Sequence, residues 1–305
     1  MPSSPKFLLI DANNMCHRCF WAQQELSYKG KQTNVVFGFF KQLVHLHKEY
    51  PDHFRIIAWD GGYARRLEES KKGVEAGIIP SEYKASRHNQ EIDDEKKALL
   101  ESLYEQMREV ESSLPLIRCL QVRKEGYEAD DIINTYVQTY RKWNSHCVIV
   151  STDRDFFQLL APGIVIYDGV KKEVVTEERF KMETGFSPSL WVDAGAIMGE
   201  VGPSKDNIFG VEGWGPVNAS KYIREYGDID AIIVALQAKS KRGKREDVFL
   251  NSIPRLRLAK SLKRMDMIPD VPKPRILTAL DPKKVEQYFI QWGMVSLLKE
   301  IWRLV

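Results

Sequence analysis

The stretch Cys147-Val148-Ile149-Val150-Ser151-Thr152-Asp153-Arg154-Asp155 runs an apolar segment into two carboxylates at alternate positions. A short continuous apolar run of this kind reads as a strand buried on both faces. Two earlier segments repeat the pattern: Lys6 to Ile10 leads to Asp11, and Arg55 to Trp59 leads to Asp60. In open α/β sheets ligands gather beyond the carboxyl ends of parallel strands, so acids that end separate strands converge on one site. Carboxylates gathered in this way cannot all ionise without cations between them. The pattern therefore points to a multi-carboxylate Mg²⁺ or Mn²⁺ site of the kind that cuts or joins phosphodiesters. A lone Asp-x-Asp also begins turns and caps helices, so the weight rests on the constellation.

Outward from these strands, helices are expected over Asn13 to Gln24 and Asn34 to Tyr50, the latter with Val36, Phe40, Leu43, Val44 and Leu46 near helical spacing. From Gly61 to about Glu111 the chain is polar with scattered apolar residues, which suits extended helices standing off the sheet. A strand near Leu116 to Val122 and a helix from Glu128 to about Trp143 complete a βαβ rhythm. In that helix Glu128 and Asp131 share a face, with Asp130 beside them, and first-turn acids also suit the helix dipole. Beyond about Thr176 the pattern becomes helical, with stretches Pro188 to Met198, Pro216 to Tyr226, Ile229 to Gln237 and Glu246 to Met265. The expected fold class is α/β, with an α/β domain over 1–185 and a helical domain over 186–305.

The 305 residues, 43% of them hydrophobic, suffice for a sizeable core. No charged-then-apolar leader and no long apolar span are evident, which gives an expectation of a cytoplasmic protein that does not engage membranes. Four cysteines are too few for a disulfide framework, and the Cys16-x-x-Cys19 pair lacks the second half of a zinc site. The net charge is only +3, but setting the acids of the proposed site aside leaves a strongly positive remainder that would attract phosphate backbones. Basic residues cluster at Arg65-Arg66, Lys71-Lys72, Lys84 and Arg87, then at Lys239, Lys241, Arg242, Lys244 and Arg245, then from Arg255 to Arg264. Each cluster alone is equally a solvated helix face. Gly210-Val211-Glu212-Gly213-Trp214-Gly215-Pro216, followed by Lys221, reads as a tight turn feeding a helix whose N-terminal amides can bind phosphate.

Together, Leu8-Leu9-Ile10-Asp11, Trp59-Asp60-Gly61, Glu82-Tyr83-Lys84-Ala85-Ser86-Arg87, Glu128-Ala129-Asp130-Asp131, Ser151-Thr152-Asp153-Arg154-Asp155 and Ile197-Met198-Gly199-Glu200 through Asp206-Asn207-Ile208-Phe209-Gly210-Val211 resemble the 5′ nuclease family. That family comprises flap endonucleases, bacteriophage 5′-to-3′ exonucleases and the 5′-nuclease domain of bacterial DNA polymerase I. The resemblance covers nearly the whole chain. It implies a PIN-like core, a helical arch at about 61–111, and a C-terminal helix-hairpin-helix variant that is associated in the family with K⁺. By resemblance, Asp11, Asp60, Glu128, Asp130 and Asp131 would surround one metal, while Asp153, Asp155 and Asp206 would hold the second. It also implies that Lys84 and Arg87 stand at the arch base, with Arg18 near the scissile phosphate. Tyr83, Arg65, Arg66, Gly210, Gly213, Gly215, Lys221, Lys241, Arg242 and Lys244 are the expected DNA contacts.

One departure stands out. The family's last two carboxylates are usually spaced D-x-x-D, whereas Glu200 and Asp206 are separated by Val201 to Lys205, so Asp206 is the better candidate ligand of the two. A bulged turn at Gly202-Pro203 would accommodate the extra residues. The expected activity is a Mg²⁺-dependent 5′ nuclease acting as a monomer on DNA with a 5′ flap or 5′ end, with RNA primers a further substrate class. The alternatives are a structure-specific DNA-binding protein whose cleavage has lapsed, and a PIN-like ribonuclease.

Overall fold

In the computed structural model the described residues are all except 1–3, 89–92, 118, 144, 203–204, 275–280 and 302–305. The first half contains β1 (Lys6–Asp11), α1 (Ala12–Ala22), the small hairpin of β2 (Ser27–Tyr28) and β3 (Lys31–Gln32), α2 (Asn34–Glu49), β4 (Phe54–Trp59), α3 (Ala64–Glu75), α4 (Ala85–His88) and α5 (Asp94–Ser113). Next come β5 (Leu120–Arg123), α6 (Ala129–Arg141), β6 (His146–Val150), β7 (Ile164–Asp168), β8 (Glu173–Val175) and α7 (Glu177–Thr184). The rest is helical: α8 (Trp191–Met198), α9 (Pro216–Tyr226), α10 (Ile229–Ala238), α11 (Lys244–Asn251), α12 (Ile253–Lys263), α13 (Pro282–Gln291) and α14 (Leu298–Ile301).

The main sheet has the order β5-β4-β1-β6-β7-β8 and is parallel except for the last pair. Its central strands are apolar throughout because both faces are covered. Phe7 and Leu9 of β1 face a core completed by Ile132, Ile133 and Tyr136 of α6. Leu8 and Ile10 face the opposite core, made with Phe20 of α1, Phe39 and Phe40 of α2, and Phe289 of α13. Alternation along one strand thus feeds two cores. Helix α13 joins this second core beside α2, with the Phe289 and Phe40 ring centroids 5.1 Å apart. The cysteines are free and buried, serving as small core residues.

Three sequence expectations need correction. Helix α5 does not stand off the sheet: Leu103, Met107 and Val110 form a stripe in the second core, and the Gln106 side chain bonds to Asn34 and to the Val35 N–H. The apolar residues of this helix are few but fall at three- and four-residue spacing, so one face is enough to bury. The helix expected over Glu246 to Met265 is two helices broken at Ser252, because Pro254 in the first turn of α12 has no N–H to bond back to the Leu250 carbonyl and its ring crowds that carbonyl. The strand near Leu116 starts later, at Leu120, after a 3-10 turn over Leu114–Ile117.

Candidate active site

The register β1–β4 and β1–β6 places the carboxyl ends of three strands side by side, so Asp11, Asp60 and Asp153 emerge at one sheet edge. They share a cleft of about 550 Å³ with Glu128, Asp130, Asp155 and Asp206 and with Arg66, Lys84, Arg87 and Lys263. A second cleft of about 700 Å³ shares Asp153, Asp155 and Lys263 and continues along Gly199 and Glu200 to Pro216, where α9 begins.

Each acid is oriented by local structure. Asp11 caps α1 by accepting from the Asn14 N–H at 3.0 Å, and its other oxygen accepts from Ser151 Oγ at 3.1 Å. Asp60 accepts from the Ala129 N–H at 2.8 Å, joining β4 to the start of α6. Asp153 accepts from the Asp155 N–H at 2.8 Å. Glu128 and Asp131 form a capping box on α6, so the cap reading and the site reading both hold for this cluster. Asp131 differs from its neighbours: it is buried, accepts from the Glu128 and Asp266 N–H groups and pairs with Arg66, away from the cleft lining. Asp131, expected among the acids around one metal, is placed behind the cleft lining, where it supports its neighbours.

Burial raises the Asp11 carboxyl to about 7, helped by the charges of Asp60 and Asp153. Burial, then Asp155, raises Asp153 to about 7 as well. Asp60 is also raised by burial, although the Ala129 N–H opposes it, and Asp130 is raised by burial against the pull of Arg66. Buried acids raised in this way regain their charged form when a cation is placed beside them. Among the described residues no ion pair reaches Asp11, Asp60 or Asp153, and no three His, Cys, Asp or Glu side chains stand ready to hold one ion. The carboxylates that line the cleft offer only oxygen donors, which fits a hard divalent cation.

The basic residues divide sharply. Lys84 pairs with Glu128, and Arg87 with Asp206, and both cations line the cleft. Tyr83 is buried and donates to Asp206 Oδ2 at 2.9 Å and Glu128 Oε2 at 3.2 Å, so it orients acids rather than facing DNA. Arg66 is buried among Glu128, Asp130 and Asp131, with 3% of its side chain exposed, and is likewise no DNA contact as placed. Arg65 is spent on Asp266, Glu69 and the Arg264 carbonyl, tying α3 to the end of α12. Arg18 turns away from the cleft: its Nη2 donates to Gln42 Oε1 at 2.7 Å and lies against Gly169.

The segment after Glu200 is closed by an antiparallel bridge, in which the Ile208 N–H donates to the Glu200 carbonyl at 3.0 Å. This bridge absorbs the longer spacing and still delivers Asp206 to the cleft, whereas Glu200 lines only the second cleft. The Gly202-Pro203 turn includes Pro203, which lies outside the described residues. Gly210 packs so closely on Gly199 that a Cβ would overlap its backbone, which makes Gly210 a packing residue rather than a DNA contact. Gly213 and Gly215 are open, and Gly215 caps α9 ahead of Pro216. Lys221, Lys241, Arg242 and Lys244 are exposed on the helical side, Arg242 beside Asp247.

Sequence reasoning missed His17, Trp21, Lys96 and Lys263, all of which line the first cleft. His17, one turn of α1 beyond Asn13, was open to helical spacing, and burial lowers its pKa. Nothing marked Lys263 within its basic run.

A parallel sheet that delivers acids from several strand ends and two lysine or arginine side chains from an adjoining turn defines a phosphodiesterase of the nuclease class. Residues 6–185 match the family of the 5′-3′ exonuclease N-terminal, resolvase-like domain. The chain is 32% identical over 253 residues to a 5′-3′ exonuclease of Halalkalibacterium halodurans, covering 79% of this chain and 77% of that one. It is 27% identical over 297 residues to a 5′-3′ exonuclease of Aquifex aeolicus, covering 96% and 94%. The fold also matches the T5 5′-exonuclease solved with divalent zinc, with TM-score 0.70, 21% identity, and 97% and 96% of the chains covered. The catalytic core of Rad2 in complex with DNA substrate gives TM-score 0.57 at 15% identity, covering 99% and 92%. The chain belongs to the 5′-3′ exonuclease family. Among its described residues no helix is long and apolar enough to cross a membrane.

Proposed function

We propose that this cleft hydrolyses a phosphodiester near the single-strand to duplex junction of DNA bearing a 5′ end or flap. The observation that carries the reading is the meeting of Asp11, Asp60, Glu128, Asp130, Asp153, Asp155 and Asp206 with Lys84 and Arg87 in one cleft. Mg²⁺ or Mn²⁺ held among Asp11, Asp60, Glu128, Asp130 and Asp153 would supply charge stabilisation and a more acidic attacking water. Lys84 and Arg87 leave their acids to meet the phosphoryl oxygens, where a preorganised cation offsets the charge that develops in the transition state. Tyr83 keeps Glu128 and Asp206 oriented while this exchange occurs.

The helical part, 186–305, is proposed to grip duplex through phosphates, using the open Gly213 to Gly215 turn with K⁺ beside it and the exposed Lys221, Lys241 and Lys244. The active unit is proposed to be a monomer, with 5′ RNA primers accepted alongside DNA. The test is a 5′-flap DNA labelled at its 3′ end, incubated with Mg²⁺, Mn²⁺ or EDTA and with wild type, Asp153→Asn or Lys84→Ala. Metal-dependent cuts at the junction, abolished by Asp153→Asn and slowed by Lys84→Ala, are expected. Tight flap binding without cleavage in either metal would sink the enzyme reading, and cleavage confined to RNA would replace it with a ribonuclease.

A further inference from the structure

The acids of the cleft are neutralised unevenly. Asp11, Asp60 and Asp153 form no ion pair among the described residues and are held only by N–H and O–H donors. Asp155, Glu200 and Asp206, at the other end, are each already paired with a tethered protein cation. Arg87 takes Asp206, and Lys263 takes the other two.

Lys263 is placed as an ion would be. Its Nζ lies 2.7 and 3.0 Å from the two Asp155 oxygens and 3.2 Å from Glu200 Oε2, and its side chain is 7% exposed. Its route is built into the fold. Helix α8 carries Gly195 where a Cβ would sit 2.7 Å from Lys263 Cδ and 3.1 Å from Cε. Glycine weakens a helix interior, so a glycine there is explained by the lysine stem that crosses it. The Lys263 carbonyl accepts from Gln158 Nε2 at 3.2 Å, which fixes the base of the side chain to the same 3-10 turn that presents Asp155. The other Glu200 oxygen is engaged by Lys205 at 3.2 Å.

We propose that Lys263 is a built-in cation that takes the place of the second divalent ion, so that the DNA-free protein holds a single such ion, among Asp11, Asp60 and Asp153. A divalent ion needs carboxylate oxygens at contact distance, and an ammonium bonded to both oxygens of Asp155 denies it those oxygens and repels it. The inference rests on the reading of a divalent site in this cleft, and it assigns Lys263 a positioning role with no part in bond breaking.

The test is the number of Mn²⁺ ions bound per full-length chain, counted by loss of the free-ion spin-resonance signal and by calorimetry. Wild type is expected to bind one ion. Lys263→Met is expected to bind a second, at least about tenfold tighter than any second ion on wild type. The bound pair should show exchange coupling, which wild type lacks. Gly195→Ala, which keeps every charge but obstructs the lysine stem, should also raise second-ion affinity, so the outcome survives a poorly folded methionine variant. Two ions of comparable affinity on wild type would overturn the proposal and leave the divalent site standing. So would a single ion on both folded variants. No Mn²⁺ on any of the proteins would overturn the divalent site itself and this proposal with it.

Discussion

The backbone N–H of Lys84 donates to the carbonyl oxygen of Asp206 at 3.0 Å, with Lys84 itself at φ 58°. A lysine in the left-handed region costs on the order of 1 kcal/mol or more, so the surroundings must impose it. What imposes it is this bond, together with Tyr83 Oη on the Asp206 carboxylate and Ser86 Oγ donating to the Asn207 side chain at 2.7 Å. The turn bearing Lys84 and Arg87 is therefore locked to the segment that brings the last acid, and the site is assembled across distant parts of the chain.

Because the turn is held by backbone bonds, truncating either cation should remove its charge without moving the other. Lys84→Ala is expected to lower kcat by about 100-fold or more, and Arg87→Ala by a similar factor, with flap affinity changed much less. Single-turnover kinetics separates the two quantities. If either variant lost affinity and kept kcat, its cation would be a binding group and not part of the chemistry.

Arg66 is the more buried of the two buried cations of the site, the other being Lys263, and its removal leaves Glu128, Asp130 and Asp131 facing one another. Breaking such a pair from one side typically costs about 3–5 kcal/mol. Arg66→Met should therefore lose about that much stability in EDTA, measured by urea unfolding. Mn²⁺ should restore part of it by placing another cation among the same oxygens. Equal loss with and without Mn²⁺ would show that the acids near Arg66 do not take the ion.

The strand-end acids were legible in the sequence because an apolar run and its terminal residue are local, and parallel pairing does the rest. Arg66 and Lys263 were not legible. Each sits in a run of basic residues whose members are otherwise exposed or paired at the surface, and burial of one member depends on a facing helix. Arg66 is enclosed because α3 packs on α12, whose Leu262 carbonyl accepts from Arg66 Nε at 3.1 Å. Arg18 was placed near the scissile phosphate by resemblance alone, seven residues after Asp11, and in the fold Gln42 of α2 captures its guanidinium. The two-helix break at Ser252, by contrast, was readable from Pro254.

Asp11 and Asp153, both raised to about 7, bind protons in the metal-free cleft that an entering cation must expel. Proton release on Mn²⁺ binding should be clear at pH 6 and small above about pH 8. Apparent affinity should then rise with pH by up to about tenfold per unit for each proton displaced. Calorimetry in buffers of different ionisation enthalpy reads the released protons directly. Absence of release at pH 6 would mean that the ion binds elsewhere.

The glycines of the 199–215 segment should separate into two kinds. At Gly210 a Cβ would overlap the Gly199 nitrogen and the Ile197 carbonyl, backbone atoms that cannot swing aside. Gly210→Ala should therefore lower stability by about 2 kcal/mol or more, with activity falling only as the fold does. Gly215 has φ −71° and open space around its Cβ position, so Gly215→Ala should be close to neutral for stability, within about 1 kcal/mol. If phosphate approaches the backbone there, the added methyl stands in its way, and duplex affinity should fall severalfold while metal binding stays unchanged. The same variant should leave the salt dependence of binding nearly intact. Lys221→Ala or Lys244→Ala should lower its log–log slope by about 0.9 each if those lysines contact phosphates. Duplex affinity unaffected by Gly215→Ala and by both lysine variants would place the duplex on a different face of the helical part.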